Sequence, residues 1–236
     1  MMNYADQAVF VEGLRKRYPG AEALRGINLQ LERGQIWGLL GPNGSGKSTF
    51  LKCLVGLAQP DGGLIKIYNQ EPGRQARKLI AFMPELDHLY RWMTVQGTLD
   101  FTAGFYQDWQ AGRAEELLDF MRLKGEQKVG ALSRGMRARL KLILALARKA
   151  PLILLDEPFS GIDPSSRERI VEGIIRQFKS EEQTMIISTH AVGSTEQLFD
   201  GVIFLDQGEV YLQGNAEDLR TEHGQSINDI FKEVFV

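Results

Sequence analysis

The chain has 236 residues, 43% of them hydrophobic and 25% charged, and a formal net charge of -2. This is an ordinary globular composition able to bury a core, and its slightly acidic balance argues against a dedicated nucleic-acid binder. One cysteine, Cys53, excludes an internal disulfide and suits a reducing compartment. The first residues, "MMNYADQAVF", lack the basic and apolar regions of a leader. No apolar run approaches the roughly 20 residues needed to cross a bilayer.

Strand-like runs come first: "AVFVEGL" (8–14), "GINLQLERG" (26–34) and "QIWGLLG" (35–41). A glycine-rich loop leads into a predicted helix over about 47–57, followed by the turn-rich "DGGLIKIYN" (61–69). From about 89 to 149 helical periodicity takes over. Alternation then returns, with "LILLDE" (152–157), a helix from about Pro164, "TMIISTH" (184–190), a further helix, and "GVIFLDQGEV" (201–210), read as a hairpin turning at Gln-Gly. Ile227, Ile230, Phe231, Val234 and Phe235 mark a terminal amphipathic helix. Strands separated by helices imply parallel β-α-β units. With no repeat, low-complexity tract or long linker, residues 1–236 are expected to form one α/β domain. Its core covers about 1–87 and 150–236, with a helical insertion over about 88–149.

The stretch "GPNGSGKST" fits G-x-x-x-x-G-K-[ST] between an apolar strand and a helix. Gly41, Pro42, Asn43, Gly44, Ser45, Gly46, Lys47, Ser48 and Thr49 are therefore expected to cradle the phosphates of ATP. The glycines let backbone N–H groups turn inward, and the helix start favours an anion. Lys47 would reach the β- and γ-phosphates, and Ser48 would bind Mg²⁺. "PLILLDEP" supplies a matching acid. Asp156 emerges at the carboxyl end of a buried strand, where it can hold Mg²⁺ through water. Glu157 beside it can orient and polarise an attacking water. His190, at the tip of "TMIISTH", lies on the same predicted edge, within reach of a γ-phosphate oxygen.

One stretch, "LSRGMRARLK" (132–141), starts Ser-x-Gly and becomes a basic helix. Met136, Leu140, Ile143, Leu144 and Ala147 fall on one face and are expected to be core. Arg137, Lys141 and Arg148 fall on the other and read as a solvated basic face.

The order "GPNGSGKST", "LSRGM", "LILLDEP", "SGIDP", "STH" resembles the ATP-binding cassette family, the motor subunits of ABC transporters, over about 18–214. The resemblance implies a P-loop NTPase of ABC ATPase fold. Such a fold has a mixed sheet core, an N-terminal antiparallel β subdomain and an inserted helical subdomain. It also implies ATP hydrolysis by a head-to-tail dimer in which the signature of one subunit covers ATP held by the other. "LSRGM" occupies the signature position: Ser133 offers a hydroxyl at a helix N-cap and Gly135 allows close backbone approach. Tyr18 matches the aromatic that stacks on adenine, and Asp163 the acid of the loop crossing to the partner.

Two departures from the family pattern stand out. The usual signature is Leu-Ser-Gly-Gly-Gln, but here Arg134 replaces a glycine and Met136 the glutamine. In "FMPELDHLY", Glu85 stands where the family has a glutamine that senses Mg²⁺ and links to the membrane partner, so Glu85 joins Ser48 and Asp156 as a metal candidate. These features look most like the ABC-2 exporter branch, with integral membrane permease subunits as partners and a second ATP-binding subunit. The implied location is cytoplasmic, on the inner face of the cell membrane. A soluble cassette protein of translation or DNA maintenance would usually bring two cassettes, a long coiled coil or zinc ligands. A GTPase would bring an Asn-Lys-x-Asp motif. The sequence contains none of these.

Overall fold

The computed structural model describes residues 7–177 and 183–235. Residues 1–6, most of the stretch expected to carry no leader, lie outside them.

Two sheets organise the chain. Strands β1 (Gln7–Tyr18) and β2 (Ala21–Glu32) form an antiparallel hairpin, and β4 (Gly62–Ile67) adds to β1 in the order β2-β1-β4. The second sheet has six strands in the order β5-β6-β7-β3-β8-β9. These are β5 (Ile80–Met83), β6 (Leu152–Asp156), β7 (Thr184–Thr189), β3 (Ile36–Leu40), β8 (Gly201–Asp206) and β9 (Glu209–Asn215). All pair in parallel except β9, which returns antiparallel to β8. The Gln-Gly turn expected there is present: Gln207 and Gly208 both take positive φ, as a tight hairpin turn of matching twist requires.

Strands β3, β6 and β7 are buried on both faces, which explains their unbroken apolar runs. Alternate residues feed two cores. Leu152, Leu154, Ile186 and Ile203 join Val9, Leu29 and Leu31 of the small sheet and Phe50 and Leu54 of helix α1 (Lys47–Leu54). Ile153, Leu155, Ile187 and Phe204 face the helices on the other side. There α5 (Arg134–Leu146) and α6 (Pro164–Gln177) pack, with Phe231 of the terminal helix α8 (Ile227–Phe235). The amphipathic terminal helix is thus docked, Phe231 and Phe235 lying 6.0 and 5.9 Å from the Phe204 ring.

The segment between β5 and β6 is helical, as expected, but interrupted. Residues 84–94 are extended or turned before α3 (Val95–Ala103), α4 (Ala111–Phe120) and α5. A short α2 (Arg74–Lys78) precedes β5, and α7 (Ala216–His223) follows β9. Helix α1 stops short of its expected end, because Gly56 turns the chain at φ 70°. The helix expected after β7 is absent. Two single-turn 3₁₀ segments, Val192–Ser194 and Glu196–Leu198, take its place. Buried Thr195 donates its hydroxyl to the Ala191 and Val192 carbonyls, the local bonding that competes with a continuous helix.

The basic face also needs correction. Lys141 and Arg148 are buried, and Arg137 is half-buried against Asp87 at 2.8 Å. Arg148 donates to both Asp108 oxygens, at 3.1 and 3.0 Å, and to the Lys78 and Ile80 carbonyls. Long stems lie along apolar surface while the charged heads find fixed acceptors, which helical periodicity alone does not reveal. Of the residues expected in the core, Leu140, Ile143 and Ala147 are buried, while Met136 and Leu144 are partly buried against the same cluster.

Candidate functional site

The carboxyl ends of β3, β6 and β7 meet at one edge, and the site is built there. The loop after β3 needs its glycines. A Cβ on Gly41 would overlap the Leu205 carbonyl oxygen, and one on Gly46, at φ 109°, would lie 2.6 Å from the Ala23 carbonyl. Gly46 caps α1 with no side-chain acceptor, so the first-turn amides remain for an outside anion. Ser45 is buried in the turn. Lys47 opens the helix and folds back, donating to the carbonyls of Gly41 at 2.7 Å and Pro42 at 3.0 Å.

The acids arrive from β6. Asp156 is buried, and its Oδ1 accepts from Ser48 at 2.9 Å and from Ser188 at 2.8 Å. Glu157 is turned toward the loop by an unusual backbone, φ 46°. Its amide donates to the Ser188 hydroxyl at 2.9 Å. One carboxylate oxygen lies 3.4 Å from Lys47 Nζ and the other 3.0 Å from His190 Nδ1. A strained non-glycine residue held by several partners is characteristic of functional sites.

These residues border a cleft of about 450 Å³ whose lining includes Asn43, Gly44, Thr49, Glu85 and Ser160 beside Lys47, Ser48, Glu157 and His190. The donors suit a magnesium ion. A serine hydroxyl and one buried carboxylate are hard oxygens, and such an ion keeps several waters and shares phosphate oxygens instead of needing a protein cage. Among the described residues no group of three or more His, Cys, Asp or Glu is gathered as a dedicated metal site.

Tyr18, Ser133, Gly135 and Asp163 do not line this cleft. Tyr18 ends β1, exposed, with Lys16 Nζ 5.2 Å from its ring centroid. Ser133 caps α5, accepting from the Met136 amide at 3.2 Å. Gly135 is buried, and a Cβ there would meet Ser166 Oγ at 2.6 Å. Its close approach is therefore to the start of α6 within the chain. Asp163 caps α6 in turn, accepting from Ser165 Oγ at 2.6 Å and the Ser166 amide at 2.9 Å, bonds that hold its carboxyl well below the usual range. The Arg134 guanidinium lies directly against Gly161, joining the signature to the "SGIDP" loop.

Sequence reasoning missed Ser188, which joins Asp156 to Glu157. Its signal was present: a hydroxyl directly after the apolar run Met185–Ile187, two residues before His190. It also missed the ligand-side contribution of Ala23 from the small sheet.

A phosphate-binding loop and the Glu157 carboxylate in one cleft, with Ser48 of its lining bonded to the buried Asp156, define a P-loop nucleotide hydrolase. Comparison with known proteins narrows the class. The ABC transporter family profile matches residues 24–160. The Nod factor export ATP-binding protein I of Ralstonia nicotianae is 35% identical over 230 residues, 94% of this chain and 71% of that protein. An uncharacterized ABC transporter ATP-binding protein of Bacillus subtilis is 31% identical over 222 residues, 92% of this chain and 74% of its own length. Among solved structures, an ATP-binding subunit of an ABC transporter superposes with a TM-score of 0.85 at 28% identity, covering 96% of this chain and 98% of that one. A dimeric post-hydrolysis cassette bound to ADP and Pi gives 0.77 at 25% identity, over 88% and 98%. The chain belongs to the ABC transporter family, and is an ATP-binding, ATP-hydrolysing subunit of such a transporter.

Proposed function

We propose that this subunit drives export through separate integral membrane permease subunits, working as an ATP-sandwiching dimer on the cytoplasmic face of the cell membrane. The observation that carries the catalytic part is the linked set Lys47–Glu157–His190 in one cleft beside Ser48, which is bonded to the buried Asp156. Lys47 and the first-turn amides of α1 hold the β- and γ-phosphates. Glu157 takes the proton of the attacking water, and His190 orients that carboxylate. Ser48 and Asp156, with Glu85 nearby, would hold Mg²⁺, which would supply charge neutralisation for the phosphates. Tyr18 stacks on adenine.

The export direction rests on relatives that are named export ATP-binding proteins. A permease partner is supported by an apolar surface directly after the Glu85 loop, where Trp92 and Phe105 are 69% and 68% exposed and Tyr90 and Phe101 lie between them. Contiguous exposed aromatics mark interaction sites. Among the described residues no helix is long and apolar enough to cross a membrane.

The dimer has a direct test. Lys47→Ala keeps Ser133, and Ser133→Arg keeps the phosphate loop. Each alone should be nearly inactive under conditions where the unsubstituted protein hydrolyses ATP. Mixed, they build one complete composite site per heterodimer, and phosphate release should return. Normal hydrolysis by Ser133→Arg alone would reject the shared site.

A further inference from the structure

Helix α5 carries a second connection that the reaction scheme above does not use. Lys141 stands two turns after Ser133, between the buried Leu140 and Leu142, and is 8% exposed. Its ammonium donates to three consecutive carbonyls: Pro84 and Glu85 at 2.8 Å each, and Leu86 at 3.4 Å. A compact head with three donors meets three acceptors turned toward one point. Burial pushes the Lys141 amine down, against the pull of Asp87, Glu85 and Asp156. The carbonyls are what offset the loss of water around a buried cation. One turn earlier, Arg137 Nε holds the Asp87 carboxylate at 2.8 Å. Residues 84–87 are thus tied to α5 through both backbone and side chain.

Glu85 lines the nucleotide cleft and also an adjoining cavity of about 300 Å³, shared with Arg134, Arg137, Lys141 and Glu157. Lys141 also borders the groove beneath the exposed aromatics Tyr90, Phe101 and Phe105. It therefore sits where the nucleotide side and the aromatic side of the subunit meet.

We propose that Lys141 is a positioning residue for ATP hydrolysis: it sets Glu85 in the nucleotide cleft by anchoring the 84–86 backbone to the helix that begins at Ser133. The proposal rests on the reading of the cleft as the hydrolytic site. Without the ammonium, the Pro84 and Glu85 carbonyls lose their shared donor and the Leu86 carbonyl keeps only the His88 ring nitrogen, Nδ1, at 3.5 Å, so the loop carrying Glu85 must rearrange. The phosphate loop, held by other contacts, is untouched.

The test is a double-mutant comparison on the full chain, with ATP turnover and ATP binding measured in parallel. Lys141→Met keeps the volume of the stem and should lower kcat about tenfold, with KM for ATP within about twofold. Hydrogen exchange of the peptide spanning 83–93 should quicken in the absence of nucleotide. Glu85→Ala should lower kcat to a similar degree, and adding Lys141→Met to it should cost less than about twofold more. Lys141→Arg keeps the charge, but its planar head cannot serve three carbonyls around one point. Its loss should be intermediate, about twofold to fivefold, and again absent in the Glu85→Ala background. That milder variant carries the test if Lys141→Met does not fold. Losses that multiply in the double variant overturn the proposal, as does unchanged kcat in either Lys141 variant or in Glu85→Ala. If Glu157→Gln abolishes turnover in the same assays, the hydrolytic reading stands independently. No hydrolysis by the unsubstituted protein would overturn that reading, and this proposal with it.

Discussion

Helices α1 and α5 both begin at a glycine or serine, and both carry basic residues in the first turn, yet they are finished differently. At α1 the cap is Gly46, which offers no side-chain acceptor, and the cation Lys47 is folded onto the loop's own carbonyls. The Glu157 carboxylate stands 3.4 Å away. At α5 the cap is Ser133, whose oxygen already accepts the Met136 amide. Arg134 lies on Gly161. The first helix start presents amides without a side-chain cap, suited to an anion. The second has its Met136 amide capped within its own chain and keeps a hydroxyl hydrogen to donate outward. Two similar sequence signals thus give one site that needs a ligand and one suited to completing another's.

The largest effect should separate the two ends by chemistry. Glu157→Gln keeps the shape beside Lys47 but removes the base, so phosphate release should fall by at least about a hundredfold while calorimetry still registers ATP binding. Near-normal turnover would move the base elsewhere, with His190, already bonded to Glu157, the next candidate. Glycine substitutions then compare the two loops by stability. Gly41→Ala drives a methyl into overlap with the Leu205 carbonyl oxygen, whereas Gly135→Ala meets the rotatable Ser166 hydroxyl at 2.6 Å, with Ser166 Cβ and Asp163 Oδ2 less tightly approached at 3.0 Å. Urea unfolding should show a loss of about 2 kcal/mol or more for the first and a clearly smaller loss for the second. Equal losses would mean that the two glycines serve the same purpose.

A smaller effect tests the cap. Ser133→Ala should cost about 1 kcal/mol of stability and leave ATP binding to the isolated chain unchanged by calorimetry. Weakened binding there would place Ser133 in its own chain's site. The smallest effect concerns pH. The Asp163 carboxyl is depressed by its bonds to Ser165 and Ser166, so its contribution is present above the unfolded value of 3.8 and is lost as pH falls through the lower folded value. The drop in Tm on acidification below about pH 4 should therefore be shallower in Asp163→Ala than in the unsubstituted protein.

Much of this protein was determined by spacing within the chain. The phosphate loop, the acidic strand end, the polar tip of β7, the Gln-Gly turn and the terminal amphipathic helix are local signals. A glycine that must take positive φ, a run of apolar residues or a period of 3.6 constrains the backbone whatever surrounds it. What required the tertiary structure were the partnerships between distant segments. Strand order brings Ser188 to Asp156 across 32 residues, making a lone hydroxyl the link between the two acids. Packing of α5 on β5 turns Lys141 inward to carbonyls 55 to 57 residues away, where helical periodicity pointed to solvent. The same packing makes Gly135 a contact with α6 and puts Arg134 on Gly161. Charge and side-chain length say that an amine must find acceptors, but only the crossing of elements far apart in sequence decides whether those acceptors are water or protein.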